Sequence, residues 1–236
     1  MTVIIYALVK LFDKLEHAES FMKGNLRMST LRKYKNYRDL NGELRGDPYE
    51  GVVSILQPSK IGMVKIGNTE ILGTNLASPI VVHCENLLDK YAFCIYSLNS
   101  SGFDVISRET LFEFKKILEM HHSCFGLGRY CVVITNANSF ISKCRDAIQS
   151  LNIEGGLGLV DYYDDSTVHG DFNVDRYGFQ KRNIFSHQRE YRVLIENDNR
   201  SEEYYYLNIG NISNISQLST TEEFNEKLCI NLPPDV

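Results

Sequence analysis

At 236 residues, 43% hydrophobic and 23% charged, the chain can bury one large core or two small ones and is too apolar to be disordered throughout. Fourteen Tyr and twelve Phe with no Trp point to a β-rich protein with aromatic-lined surfaces. A net charge of −5 argues against a general nucleic-acid binder, but the charge is unevenly spread along the chain.

The opening run, Met1-Thr2-Val3-Ile4-Ile5-Tyr6-Ala7-Leu8-Val9-Lys10, is too short to span a membrane and carries no basic leader or small-residue cleavage site. It reads as a first strand over 3–10, in a cytoplasmic protein. A short helix over 13–23, capped by Asp13 and closed by Gly24-Asn25, leads to a strand over 26–29. Ser29 or Thr30 then caps a helical turn over 31–34, and Asn41-Gly42 and Arg45-Gly46-Asp47-Pro48 break the chain into a loop ending at Glu50-Gly51. Strands follow at 52–56, 63–66, 70–72, 80–83 and 91–97. Amphipathic helices at 111–120 and 137–151 flank a strand at 129–135, and another strand runs over 155–163. Residues 164–179 read as a mobile polar loop, with strands at 188–196 and 204–209 and a helix at 221–227 to finish.

No repeat, low-complexity linker or boundary interrupts 1–236, which reads as a single domain. Strands outnumber helices without regular alternation, so the expected class is α+β, with a mostly antiparallel β core and short helices. No G-x-G-x-x-G or P-loop pattern is present. The six cysteines lie mostly in apolar runs without C-x-x-C spacing, so they read as buried free thiols and no metal site is expected. From Lys23 to Arg38 there are six basic residues and no acidic one, with Tyr34 and Tyr37 interleaved. That patch suits a phosphate-bearing partner, or else it is a solvated helix face.

The stretch richest in chemistry is Ser186-His187-Gln188-Arg189-Glu190-Tyr191-Arg192-Val193-Leu194-Ile195. Strand alternation sends Tyr191, Val193 and Ile195 to a core face and Gln188, Glu190, Arg192 and Leu194 to the other. Gln188 and Glu190 would then stand about 7 Å apart, either gripping a ligand or merely solvated on an edge strand. Two further polar clusters accompany it: Tyr6, Lys10, Arg27 and Ser29 near the N-terminus, and Arg45-Gly46-Asp47-Pro48-Tyr49-Glu50.

The order of a first strand, a short helix, Gly24-Asn25-Leu26-Arg27-Met28-Ser29, a strand over 91–97 and the late Gln188-x-Glu190 strand resembles the ADP-ribosyltransferase toxin superfamily. The Gly46-Asp47-Pro48-Tyr49-Glu50 loop with the late Lys181…Gln188-Arg189-Glu190-Tyr191-Arg192 adds to the likeness. The likeness is to its DarT-like branch and to a bacterial family linked to abortive infection. It implies a split β core, NAD as substrate, and an intracellular toxin or phage-defence effector, with an antitoxin as a candidate partner. It implies that Glu190 stabilises positive charge on the ribose and that Gln188 orients the nucleophile. Arg27 would hold the pyrophosphate, Ser29 or Tyr6 the ribose or amide, and Tyr96 or Tyr49 would stack on the ring, beneath a cover loop at 39–51. RNA or DNA would dock through Lys23, Arg32, Lys33, Tyr34, Lys35, Tyr37 and Arg38. The chain departs from the pattern at Tyr6, where Arg or His is usual, and Tyr96-Ser97-Leu98-Asn99-Ser100-Ser101 only approximates the central Ser-Thr-Ser strand. Three other readings stay open: an NAD glycohydrolase, a metal-dependent nuclease using Asp47, Glu50 and Glu190, and a non-catalytic module binding nucleic acid or protein through the basic patch.

Overall fold

The computed structural model describes residues 3–38, 46–103, 106–196 and 203–232. β1 (Ile5–Phe12) opens the chain, and α1 (Leu15–Met22) carries it to β2 (Asn25–Thr30). Lys14, not Asp13, stands at the N-cap of α1 and no side chain caps it. Gly24 closes the helix as expected: its φ is +95°, and a Cβ there would lie 2.1 Å from the Gly210 carbonyl oxygen. Thr30 then starts α2 (Leu31–Asn36), its hydroxyl accepting from Lys33 N at 3.3 Å.

β3 (Val52–Leu56), the hairpin of β4 (Met63–Ile66) and β5 (Thr69–Leu72), β6 (Ile80–His83) and α3 (Glu85–Leu88) precede the long β7 (Tyr91–Asn99). Next come α4 (Leu111–Leu118), β8 (Tyr130–Ile134), α5 (Ala137–Ser150), β9 (Gly155–Leu159), β10 (Asp161–Tyr163) and β11 (Gly170–Asp171). β12 (Gln180–Arg182), β13 (Glu190–Ile195), β14 (Tyr204–Asn208), β15 (Ser216–Thr220) and α6 (Thr221–Lys227) complete the chain. The class is α+β, with mostly antiparallel sheets and short helices. The expected strand over 155–163 is two strands in different sheets: β9 pairs with β13, whereas β10 pairs in parallel with β12. The polar stretch 164–179 is tied down rather than loose. β11 pairs with β3, and the Gln57 side chain donates to the carbonyls of Asp165 and Val168 at 2.8 and 2.9 Å.

The main sheet is organised on β7. One edge of β7 is taken along Tyr91–Tyr96 by β13, which in turn pairs with β9. The opposite edge is shared by two strands. β1 occupies its C-terminal half, ending with Val9 opposite Tyr96, and β2 meets only Ala92 and Tyr91, through Ser29 and Thr30. Between them the sheet forks, and residues 93–95 lack a strand partner on that edge. Lys10 fills part of the gap, its Nζ donating to the Cys94 carbonyl at 2.6 Å, so that an otherwise orphaned backbone acceptor is satisfied.

The two faces of this sheet are covered differently. Leu8, Phe93, Ile95, Tyr191, Val193 and Ile195 point to one side and pack against Ala18 and Phe21 of α1 and Phe140, Cys144 and Ile148 of α5. Each such burial contributes roughly 1.5–3 kcal/mol, which makes this the main core. The other face carries two smaller apolar clusters. Val9, Tyr96, Leu98 and Cys131 lie under Phe114, Leu118 and Phe224, while Ala92 and Leu194 lie under Leu31, Leu87, Leu88 and Phe179. In the strip between those clusters, the outward positions of β13 hold Glu190 and Arg192, beside Cys94 of β7. Among the cysteines, Cys124, Cys131 and Cys144 are buried free thiols as expected, but Cys229 is exposed.

Candidate active site

That strip is polar but not solvated. Glu190 is 4% exposed and Arg192 1%, so the exposed-edge reading of β13 does not hold. The charges are matched in a chain. Arg192 donates from Nε to Glu190 Oε1 at 2.6 Å, from Nη1 to the Gly178 carbonyl at 2.6 Å, and from Nη1 to Glu50 Oε1. Lys181 Nζ donates to the other Glu190 oxygen at 3.2 Å and to Gln188 Oε1 at 2.7 Å. Gly178 makes the Arg192 bond feasible. Its φ is +83°, and a Cβ there would come within 2.6 Å of Leu194 Cδ2.

Burying ions is costly, so this chain persists only because each charge has a partner. Burial opposes ionisation of Glu190, but the Arg192 and Lys181 cations outweigh it and hold its pKa well below the usual carboxylate range. Burial likewise opposes the Lys181 charge, and Glu190 and Glu50 more than restore it. Glu50 goes the other way. Desolvation pushes its carboxyl up despite Arg192 and Lys181, and its Oε2 has no hydrogen-bond partner. Burial also pushes the neighbouring Cys94 thiol up to about 12, which makes it an inert neighbour rather than a nucleophile.

Gln188 reaches this chain by a route that differs from the expectation. β13 begins at Glu190; Gln188 ends a 3₁₀ turn over Asn183–Gln188, and Arg189 between them is left-handed at φ 41°. The Arg189 guanidinium is held by the Ile117 carbonyl and, at 2.8 Å, by both the carbonyl and the side-chain oxygen of Asn99. Its own carbonyl accepts from Ser97 N at 2.9 Å and Ser97 Oγ at 2.8 Å. These contacts hold a strained turn that brings Gln188 beside Lys181. Gln188 and Glu190 are therefore linked through a shared ammonium, not through strand periodicity.

The chain forms one wall of a cavity of about 440 Å³ at the fork of the sheet. This lies within the range of small-molecule sites. Lys10, Arg27, Ser29, Tyr34, Tyr96, Lys181, Gln188, Glu190 and Arg192 all line it. Phe12, Phe21 and Phe93 supply an apolar side, and Tyr204 and Tyr206 a rim. Of the sequence candidates, Glu190, Gln188, Arg27, Ser29 and Tyr96 are thus brought together. The Tyr96 hydroxyl is already engaged, donating to the Glu119 carbonyl at 3.3 Å. Tyr6 and Tyr49 are not at the cavity. Tyr6 packs edge-on to Phe114 with ring centroids 5.6 Å apart, and Tyr49 lies under the Arg182 guanidinium at 4.6 Å. Lys10, Lys181 and Arg192 stood in the polar clusters read from the sequence but were given no role, and Tyr204 and Tyr206 were missed. Glu190-x-Arg192 had a local signal, a charged pair on one face of a strand otherwise made of Tyr191, Val193, Leu194 and Ile195.

The remaining expectations divide. Residues 39–45 of the expected cover loop lie outside the described residues. The rest is a buried brace: Asp47 is 0% exposed and accepts from Arg182 Nε at 2.8 Å, and Glu50 holds Arg192. Asp47 thus faces Arg182 while Glu50 and Glu190 share Arg192, and among the described residues no three His, Cys, Asp or Glu are grouped to hold a metal ion. Two of the six cations of the basic patch, Arg32 and Lys33, are paired with carboxylates. Arg32 pairs with Asp89 and Glu85 at 2.8 and 2.9 Å, Lys33 pairs with Glu203, and the Tyr34 hydroxyl donates to the Ala92 carbonyl. No described helix is long and apolar enough to cross a membrane. No protein-family model matches the chain, and neither a curated protein nor a solved structure does.

Proposed function

We propose that the chain is an NAD-dependent ADP-ribosyltransferase whose dinucleotide enters the cavity at the fork of the sheet. The observation that carries this reading is Glu190: a buried carboxylate kept ionised by Arg192 and Lys181 on the wall of a cavity lined by aromatic rings and cations. The C1′–N bond to nicotinamide breaks with its electron pair leaving on neutral nicotinamide, and positive charge develops on the ribose. A pre-ionised carboxylate, already fixed by two partners, stabilises that charge without reorganising. The acceptor's lone pair closes the new bond to C1′ and its proton is lost. Gln188, held by Lys181, orients that acceptor, and Arg27 and Lys10 complement the pyrophosphate. The toxin or phage-defence role draws its support from the resemblance in the order of motifs.

Labelled NAD incubated with the protein and a cell extract, followed by separate nuclease and protease digestion, tests the reading. Transfer of label to macromolecules is expected, with release by one digestion naming the acceptor. Free ADP-ribose alone would replace the transferase by an NAD glycohydrolase. Glu190→Gln is expected to cut turnover about 10²–10³-fold; turnover equal to wild type would remove Glu190 from the chemistry.

A further inference from the structure

The rim of the cavity has a feature that the chemistry at Glu190 does not use. On β2 and β14, Leu26, Met28, Tyr205 and Leu207 face the core, so alternation turns Arg27, Tyr204 and Tyr206 together to the other face. Arg27 sits over the Tyr204 ring, its guanidinium carbon 3.6 Å from the centroid, and Lys33 Nζ is 3.9 Å from the same ring. Tyr206, directly opposite Arg27 across the strand pair, leaves 60% of its surface exposed while still lining the cavity. An exposed ring next to a guanidinium that covers a second ring offers aromatic surface with a cation beside it. That is the chemistry of a nucleobase platform.

Resting on the reading given under Proposed function, we infer that the Tyr206–Arg27–Tyr204 ledge binds the adenosine end of the dinucleotide. The nicotinamide end then lies inward, against Glu190. A nicotinamide ring that is to leave must sit with its ribose at the carboxylate, and the cavity continues from there to the ledge. Tyr206 is then a specificity residue for a purine, not a catalytic one, and its substitution removes no core packing because the side chain is largely exposed.

Direct binding separates this inference from the reading beneath it. Affinities of AMP, ADP-ribose and nicotinamide mononucleotide are to be measured by calorimetry for wild type, Tyr206→Ala and Tyr206→Phe. Tyr206→Ala is expected to weaken AMP and ADP-ribose about tenfold, as loss of one base stack does, and to leave nicotinamide mononucleotide unchanged. Tyr206→Phe keeps the ring and is expected to bind like wild type. Unchanged AMP affinity in Tyr206→Ala, in a protein that still binds and turns over NAD, would overturn the ledge alone. Equal weakening of AMP and nicotinamide mononucleotide would also overturn it. Failure of wild type to bind any of the three would overturn both the ledge and the NAD reading. A single-stranded oligonucleotide that competes with AMP on wild type but not on Tyr206→Ala would reassign the ledge to a nucleic-acid base.

Discussion

Two concentrations of cationic side chains lie on this molecule, and they behave in opposite ways. The run from Lys23 to Arg38 is dense in sequence, but its Arg32 and Lys33 sit at the surface against Asp89, Glu85 and Glu203. Lys181 and Arg192 are eleven positions apart in a less conspicuous stretch, yet the fold buries both beside Glu190 and Glu50. Surface pairs exchange hydration for contact almost evenly, while buried ones depend on every partner being present. Apart from Arg27, which lines the cavity, the local density of charge marked a surface, and a burial that only the fold could supply identified the site.

The largest effect is expected at Arg192. Arg192→Leu leaves Glu190 and Glu50 buried without their shared cation, and a loss of about 3–5 kcal/mol is expected in denaturant unfolding. A loss below 1 kcal/mol would mean that the buried chain is no more costly to break than a surface pair.

The two carboxylates of the chain should separate by pH. Glu190 has a depressed folded pKa, so its stabilisation is complete above its ordinary value of 4.5 and is lost as pH falls below it. Glu50 has a raised one, so its contribution is complete below 4.5 and is lost as pH rises through the folded value. Unfolding of Glu190→Gln and Glu50→Gln between acid and neutral pH checks this. The deficit of Glu190→Gln should grow with pH and that of Glu50→Gln should shrink; parallel curves would refute the assignment.

Arg189 gives a smaller effect. Both Arg189→Gly and Arg189→Ala lose the bonds to Ile117 and Asn99, but glycine accepts the left-handed backbone and alanine does not. Arg189→Gly should be the more stable of the two by about 1 kcal/mol, and both should lose NAD turnover through the displaced Gln188. The smallest effect is expected on the surface, where Arg32→Ala should change stability by less than about 1 kcal/mol and leave turnover unchanged.

What could be read from the chain follows the same division. The core face of β13 was legible because Tyr191, Val193 and Ile195 alternate with period two, and the α1 stop was legible at Gly24. Gln188 was misplaced because alternation continues through Arg189 in sequence. The turn that breaks it is held by Ile117 and Asn99, 72 and 90 residues away. The opposite face of β13 was legible as polar but not as buried, since Glu50 and Gly178 arrive from other parts of the chain. β15 was missed because Ser216-Gln217-Leu218-Ser219-Thr220 has one apolar residue; its pairing to β8 is made by backbone. Tyr6 and Tyr49 stood in polar clusters and were given ligand roles by family likeness, but each has a packing role elsewhere.

The most direct measurement is the single-turnover rate of NAD consumption by Glu190→Gln beside Arg32→Ala, with both variants shown to be folded. The account predicts a fall of about 10²–10³-fold for Glu190→Gln and none for Arg32→Ala. Equal rates in the two variants, or no NAD consumption by the wild-type protein, would contradict it.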